Sequence, residues 1–124
     1  MSVVPIETLR DVANDDAEFR IAARFWEAVL RIGVDDTGTL IRIRNGRIEE
    51  VAPELPIGMS SWDFSISAGA EQWRRFLQPV PEPFYQDLWG ASLYHGFRVE
   101  GNLETFYPYY AAVRRMFELM RASD

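Results

Sequence analysis

His95 is the single histidine of the chain and the first residue to weigh as a general base, because an imidazole changes protonation near neutral pH. Asp87, eight residues earlier, would be its partner carboxylate if the fold brought the two together. His95 also stands between Tyr94 and Gly96, where an ordinary hydrogen-bonded turn residue fits as well, and that plainer reading is favoured. With no cysteine, no second histidine and no G-x-S-x-G elbow, no nucleophilic or metal site stands out. Arg74–Arg75 and Arg114–Arg115 are the pairs suited to a ligand carboxylate or an acidic partner face, although paired arginines on a helix are more often plain surface. Asp63 reads as solvent-facing or pinned to a neighbouring hairpin, and Asp35, Asp36, Glu49 and Glu50 as solvated surface.

What the chain offers in quantity is apolar surface at regular spacing. Aromatic residues make up 14% of it, and large ones concentrate between Trp73 and Phe117, more bulk than a thin two-layer core obviously needs. Phe106, Tyr109, Tyr110, Val113, Met116, Phe117 and Met120 form one helical stripe, with Arg114, Arg115, Glu118 and Arg121 turned away. Such stripes are ordinarily core. A ligand-lined cavity is the alternative, and Met116 and Met120 would give it the adaptable lining that variable apolar ligands require. Its candidate lining is Trp26, Phe64, Ile66, Trp73 and Leu77, then Leu88, Trp89, Tyr110 and Val113, with Met116, Phe117 and Met120 on the last helix.

The elements that must position these residues are legible from their periods. Trp62, Phe64 and Ile66 alternate with Asp63, Ser65 and Ser67, which is a strand, and from Ala70 the repeat becomes Ala70, Trp73, Phe76 and Leu77, which is a helix. Ser67 or Gly69 serves as its cap and Glu71 lies in its first turn. Earlier, Asp15 followed by Glu18 resembles a capping box, and Phe19, Ala22, Ala23, Trp26, Val29 and Leu30 predict one amphipathic helix ending near Gly33. Asp35 to Gly38 reads as a turn. Asn45-Gly46 between alternating runs predicts a hairpin, with Ile43 opposite Ile48, Arg42 opposite Glu49 and Ile41 opposite Glu50, and hence an Arg42–Glu49 ion pair.

Residues 1–13 read as an N-terminal extension, loosely structured or forming a short first helix, and 14–124 as a single domain. Residues 53–58, with two prolines, are an irregular connection. Pro79, Pro81 and Pro83 stiffen the segment after the central helix, and Pro83 is placed to open a short helix carrying Phe84, Tyr85, Leu88 and Trp89 with Gly90 near its end. A strand over 97–100 follows, and the last helix starts or kinks between Leu103 and Pro108. This order predicts an α+β domain with a sheet of about five strands, mostly antiparallel or mixed, covered on one face by helices.

Composition narrows the partners. A length of 124 residues suits one domain, and 48% hydrophobic with 26% charged residues is an ordinary globular mixture. The net charge of −6 repels polyphosphate backbones and anionic lipid surfaces, so nucleic acid is excluded as a partner class. The beginning lacks a signal-peptide pattern, no apolar run suffices to cross a bilayer, and the default location is the cytoplasm. No cofactor is implied.

The hairpin LIRIRNGRIEEV (40–51), the strand-to-helix passage WDFSISAGAEQW (62–73) and the junction FRVEGNL (97–103) coincide in order and spacing with one known family. The chain resembles the sterol carrier protein 2-like (SCP2-like) lipid-binding domains over roughly residues 15–121. The resemblance implies a five-stranded sheet covered by helices, an apolar tunnel between them that accepts acyl chains or sterols, and no catalytic residues. This chain departs from the family in the aromatic and proline-rich insert 78–95, where a short polar link is usual.

The leading expectation is therefore a protein that binds a hydrophobic molecule, such as a fatty acyl chain, a sterol or a polyaromatic metabolite, and carries or presents it to an enzyme. The rival is a small cone-shaped enzyme of the nuclear transport factor 2-like kind, a dehydratase or isomerase using His95 and Asp87. A third reading makes the aromatics, Tyr107 and Tyr109 among them, a dimer or partner interface. Monomer or homodimer is left undecided.

Overall fold

Period-two segments with one apolar face must bury that face, and here they do so in one five-stranded mixed sheet. The computed structural model describes residues 4–54 and 61–122. Strands β1 (Ala28–Val34), β2 (Thr37–Arg44), β3 (Arg47–Pro53), β4 (Phe64–Ala68) and β5 (Arg98–Gly101) lie in the order β3-β2-β1-β4-β5. Only β1 and β4 run parallel; the other pairs are antiparallel. Leu30 stands level with Ile41 and Phe64, and Ile32 with Ile66, so one sheet face is a continuous apolar surface. Helices α1 (Leu9–Asp15), α2 (Ala17–Ala22), α3 (Ala70–Phe76), α4 (Leu88–Tyr94) and α5 (Tyr110–Ala122) complete the chain and supply the rest of the core. On the opposite face Arg31 bonds Glu54 at 2.9 Å and the Ser65 hydroxyl at 3.1 Å, which is why Ser65 is buried.

The helix expected to run to Gly33 is corrected by this arrangement. It stops at Ala22, and Val29 and Leu30 belong to the central strand β1. Phe25 takes a φ of +70°, which no helix accommodates. Beyond it Ala28, Leu30 and Ile32 are buried at period two, and β1 is paired along both edges. The cap of α2 is Asp16, not Asp15: its carboxylate accepts from the Phe19 N–H at 2.8 Å. The first helix is packed into the same core through Leu9 and Ala13, and the residues before it through Val4 and Ile6, while Asn14 exchanges two hydrogen bonds with Ile48 on the edge strand β3.

The hairpin turn has Asn45 and Gly46 both at positive φ, as a type I′ turn needs. Its register is corrected one step further along. After Ile43↔Ile48 the ladder shifts, so Arg42 faces Glu50 and Ile41 faces Val51. Unbroken alternation would have turned Glu50 inward beside Ile48, and a bulge at Glu49 avoids that cost. The ion pairs are accordingly Arg42–Glu50 at 3.6 Å and Arg44–Glu49 at 3.7 Å, in place of Arg42–Glu49. A Cβ on Gly46 would sit 2.6 Å from the Ala23 carbonyl oxygen, at φ +72°. Gly46→Ala is expected to lower unfolding free energy by about 1–3 kcal/mol in urea melts.

The strand-to-helix passage is as its period predicts, with Gly69 at the cap and Leu77 at the end of α3. The Asp35 carboxylate supplies the missing cap bond by accepting from the Ala70 N–H at 3.1 Å. In the insert the helix begins at Leu88, not Pro83, and Gly90 is interior. Phe84 at φ +67° interrupts the turn, and its carbonyl lies 3.0 Å from where a Cβ on Gly90 would stand. Two 3₁₀ turns, Leu103–Thr105 and Tyr107–Tyr109, lead into α5, in keeping with the start expected around Pro108. Of the proline-containing connection expected over 53–58, residues 55–58 lie outside the described residues.

Candidate functional site

Each large ring between the layers reaches its place by a simple local rule. Trp73 and Phe76 share the inward face of α3, Val113, Met116, Phe117 and Met120 that of α5, and Phe64 and Ile66 the inward face of β4. Trp73 then meets Phe76 at 5.9 Å, Phe97 at 4.9 Å and Phe117 at 5.7 Å between ring centroids, and its indole N–H donates to the Gly33 carbonyl at 2.8 Å. Trp26 stacks on Phe64 at 6.2 Å and on Tyr109 at 5.3 Å, with its N–H on the Thr105 carbonyl. Phe106 joins Phe64, Tyr110 and Trp89.

Of the candidate lining residues, Trp26, Phe64, Ile66, Trp73, Leu77, Leu88, Val113, Met116, Phe117 and Met120 are buried in this one cluster. Tyr110 is half-buried and Trp89 is 43% exposed, on the outer side of α4 beside Tyr107. The gathered rings touch one another. Where α3, the insert and α5 meet, a cavity of about 10 Å³ remains, room for a water at most. Its inner wall is Phe76, Leu88, Val113 and Phe117, and its rim is Gln86, Asp87, Tyr110, Arg114 and Arg121. Among the described residues larger hollows occur as surface grooves, one of them of about 630 Å³ beside Asp35, Asp36, Ser67 and Arg98.

The polar candidates find separate partners. His95 stacks on Tyr85 at 3.7 Å and its Nε2 lies 3.2 Å from the Pro83 carbonyl, while the Tyr110 hydroxyl donates to Asp87. The expected acid–base pair is thus not assembled. Burial, and then the Asp87 carboxylate, push the Tyr110 phenol well above its ordinary range, so it stays a donor. Asp63 binds β1 and not the hairpin, accepting from the Val29 N–H at 2.6 Å. Arg74 and Arg75 are taken by Glu71, and Arg115 by Asp16 and Glu118. The residue that sequence reasoning missed is Arg121, expected to face solvent. Its spacing held the signal: Tyr110, Arg114, Phe117 and Arg121 recur at steps of four, three and four, along one stripe.

No family model matches the chain, and no curated protein does. Solved structures do. The crystal structure of sterol carrier protein 2 superimposes with a TM-score of 0.74 at 18% identity, over 93% of this chain and 92% of that one. The fold is that of sterol carrier protein 2. A conserved hypothetical protein from Thermus thermophilus, described as possibly a sterol carrier protein, has the same SCP2-like backbone, with a TM-score of 0.69 at 20% identity over 93% of this chain and 82% of that one. So does the UbiJ-SCP2 ubiquinone synthesis protein, with 0.62 at 16% over 95% and 88%. The sheet order and the helix cover described above are therefore those of an SCP2-like domain, and no described helix is long and apolar enough to cross a membrane.

Proposed function

We propose that the protein binds a hydrophobic small molecule, an acyl chain, a sterol or a similar lipid, between sheet and helices, and carries it or presents it to an enzyme. The observation that carries this reading is the pair of facing apolar layers, sheet and helices, arranged on an SCP2-like backbone. A structural neighbour named for ubiquinone synthesis adds prenylated aromatic rings to the ligand classes worth offering. Because the rings now fill that space, a ligand must part them. Burying about ten methylenes at roughly 0.8 kcal/mol each supplies about 8 kcal/mol toward that and toward the cost of association. Few polar anchors are then needed for micromolar binding. His95 and Asp87, each held elsewhere, lend the enzyme reading no assembled pair.

Native mass spectrometry of the purified protein should show a copurifying lipid, and the delipidated protein should titrate a fluorescent fatty acid to one equivalent. Absence of both would leave a filled core with no carrier role.

A further inference from the structure

Arg121, in the last turn of α5, donates every one of its hydrogen bonds to main-chain carbonyls: Nε to Phe76 at 2.8 Å, Nη2 to Tyr85 at 2.9 Å and Nη1 to Gln86 at 3.4 Å. Its guanidinium also lies 4.6 Å from the centre of the Phe76 ring. One side chain thereby ties the end of α3 and the insert to α5. Among the described residues it forms no ion pair, and burial pulls its pKa below the ordinary arginine value. Its donors are met by neutral carbonyls, and among the described residues Glu118 and Asp87 act on its charge from beyond ion-pair distance.

The surroundings favour an anion. Arg114 and Arg121 against Asp87 give the rim of the cavity a formal charge of two minus one, or +1, on a chain of net −6. Asp87 is engaged by the Tyr110 hydroxyl, and Glu118, the other carboxylate acting on Arg121, is paired with Arg115 at 3.3 Å. Directly behind the rim stand Phe76, Leu88, Val113 and Phe117, where a hydrocarbon tail would continue.

We propose that Arg121 is the receptor for the carboxylate head of a single-chain amphiphile, and that head and insert compete for the same guanidinium. This rests on the lipid-binding reading above and names its ligand class. A carboxylate accepts two charge-assisted bonds from a guanidinium, each roughly twice as strong as a bond to a neutral carbonyl. When the head takes Arg121, the Tyr85 and Gln86 carbonyls are released, and the insert loses that tie to α5. At its far end Gly96 has φ +75°, a backbone conformation that glycine adopts without a steric cost. The head of the ligand thus opens the path for its tail.

The test compares decanoate, decan-1-ol and methyl decanoate at pH 7.5 as displacers of a neutral fluorescent probe from the delipidated full-length protein. Decanoate is expected to bind at least about tenfold more tightly than the alcohol or the ester. Arg121→Gln should bring the three within about threefold by weakening decanoate, with decanol association faster than in the wild type. Arg42→Gln, on the hairpin and outside the cavity rim, should keep the preference. Equal binding of acid and alcohol by the wild type overturns the proposal without any variant, and so does an Arg121→Gln protein that keeps its preference. Arg121→Lys, which retains the charge without the fork, should show an intermediate preference if the glutamine variant fails to fold. Failure of all three ligands would instead sink the lipid-binding reading itself.

Discussion

Trp73→Ala is expected to lower unfolding free energy by about 3–5 kcal/mol, read as a shift of the urea midpoint at unchanged slope. The indole is fully buried, packs on three aromatic rings from α3, α5 and the residue before β5, and ties α3 to β1 through the Gly33 carbonyl. Truncation removes one of the largest buried side chains between the layers and leaves a hollow that neighbours of this size fill only in part. Trp73→Phe keeps most of the apolar surface and loses the N–H, so its cost should be about 1–2 kcal/mol. The hollow lies where a ligand is proposed to insert. The alanine variant should therefore bind decan-1-ol more tightly than the wild type, because less of the binding energy goes into parting rings. A variant that is destabilised but binds no better would place the ligand elsewhere.

The fold was readable wherever one periodicity ran without a competitor. The passage from Phe64 and Ile66 to Trp73 and Phe76 changes period once and has a glycine at the change, and α5 carries an apolar stripe over its whole length. Strand β1 was not readable because Trp26 and Leu30 satisfy a helical and an alternating pattern equally, positions four apart being on one side in both. What decides is tertiary: β2 and β4 pair both edges of the segment, and Phe25 takes a positive φ to reach them. The hairpin held a clue in its two consecutive glutamates, since Ile48 and Val51 share a face only if one of Glu49 and Glu50 is bulged out.

The candidate site divides in the same way. That Trp73, Phe117 and Met116 would be buried follows from spacing alone. Whether facing stripes meet or leave a tunnel depends on the distance between layers, which periodicity does not carry. Here the rings of α3 and α5 stand 5–6 Å apart between centroids, and they meet. Arg121 looks solvent-facing as long as charge is equated with exposure, whereas the carbonyls of a proline-rich insert need donors and a helix facing them can supply a guanidinium.

Asp16→Ala is expected to cost about 2–3 kcal/mol, the sum of two separable losses. Asp16 caps α2 and also receives two hydrogen bonds from Arg115, at 2.8 and 2.9 Å, clamping α5 across 99 residues of chain. Both side chains are mostly covered, 16% and 26% exposed, so solvent screens the pair only in part. The bond to Arg115 first, then the Phe19 N–H, hold the carboxyl at about 2 against an ordinary 3.8, with partial burial opposing them. A depressed carboxyl adds stability that is complete above the unfolded value and lost as the pH falls through the folded one, here between about 4 and 2. The lost part should be on the order of 2 kcal/mol. Asn caps a helix as well as Asp does but carries no charge, so Asp16→Asn should cost about 1–2 kcal/mol at pH 7, and alanine about 1 more. The Glu71 carboxyl beside Arg74 is also held low, at about 2, and it is common to both proteins. The informative quantity is therefore the wild-type minus Asp16→Asn difference from urea melts at each pH. That difference should shrink as the pH drops from 4 to 2, and a gap that stays constant would mean that the clamp acts through its hydrogen-bonded shape and not through its charge.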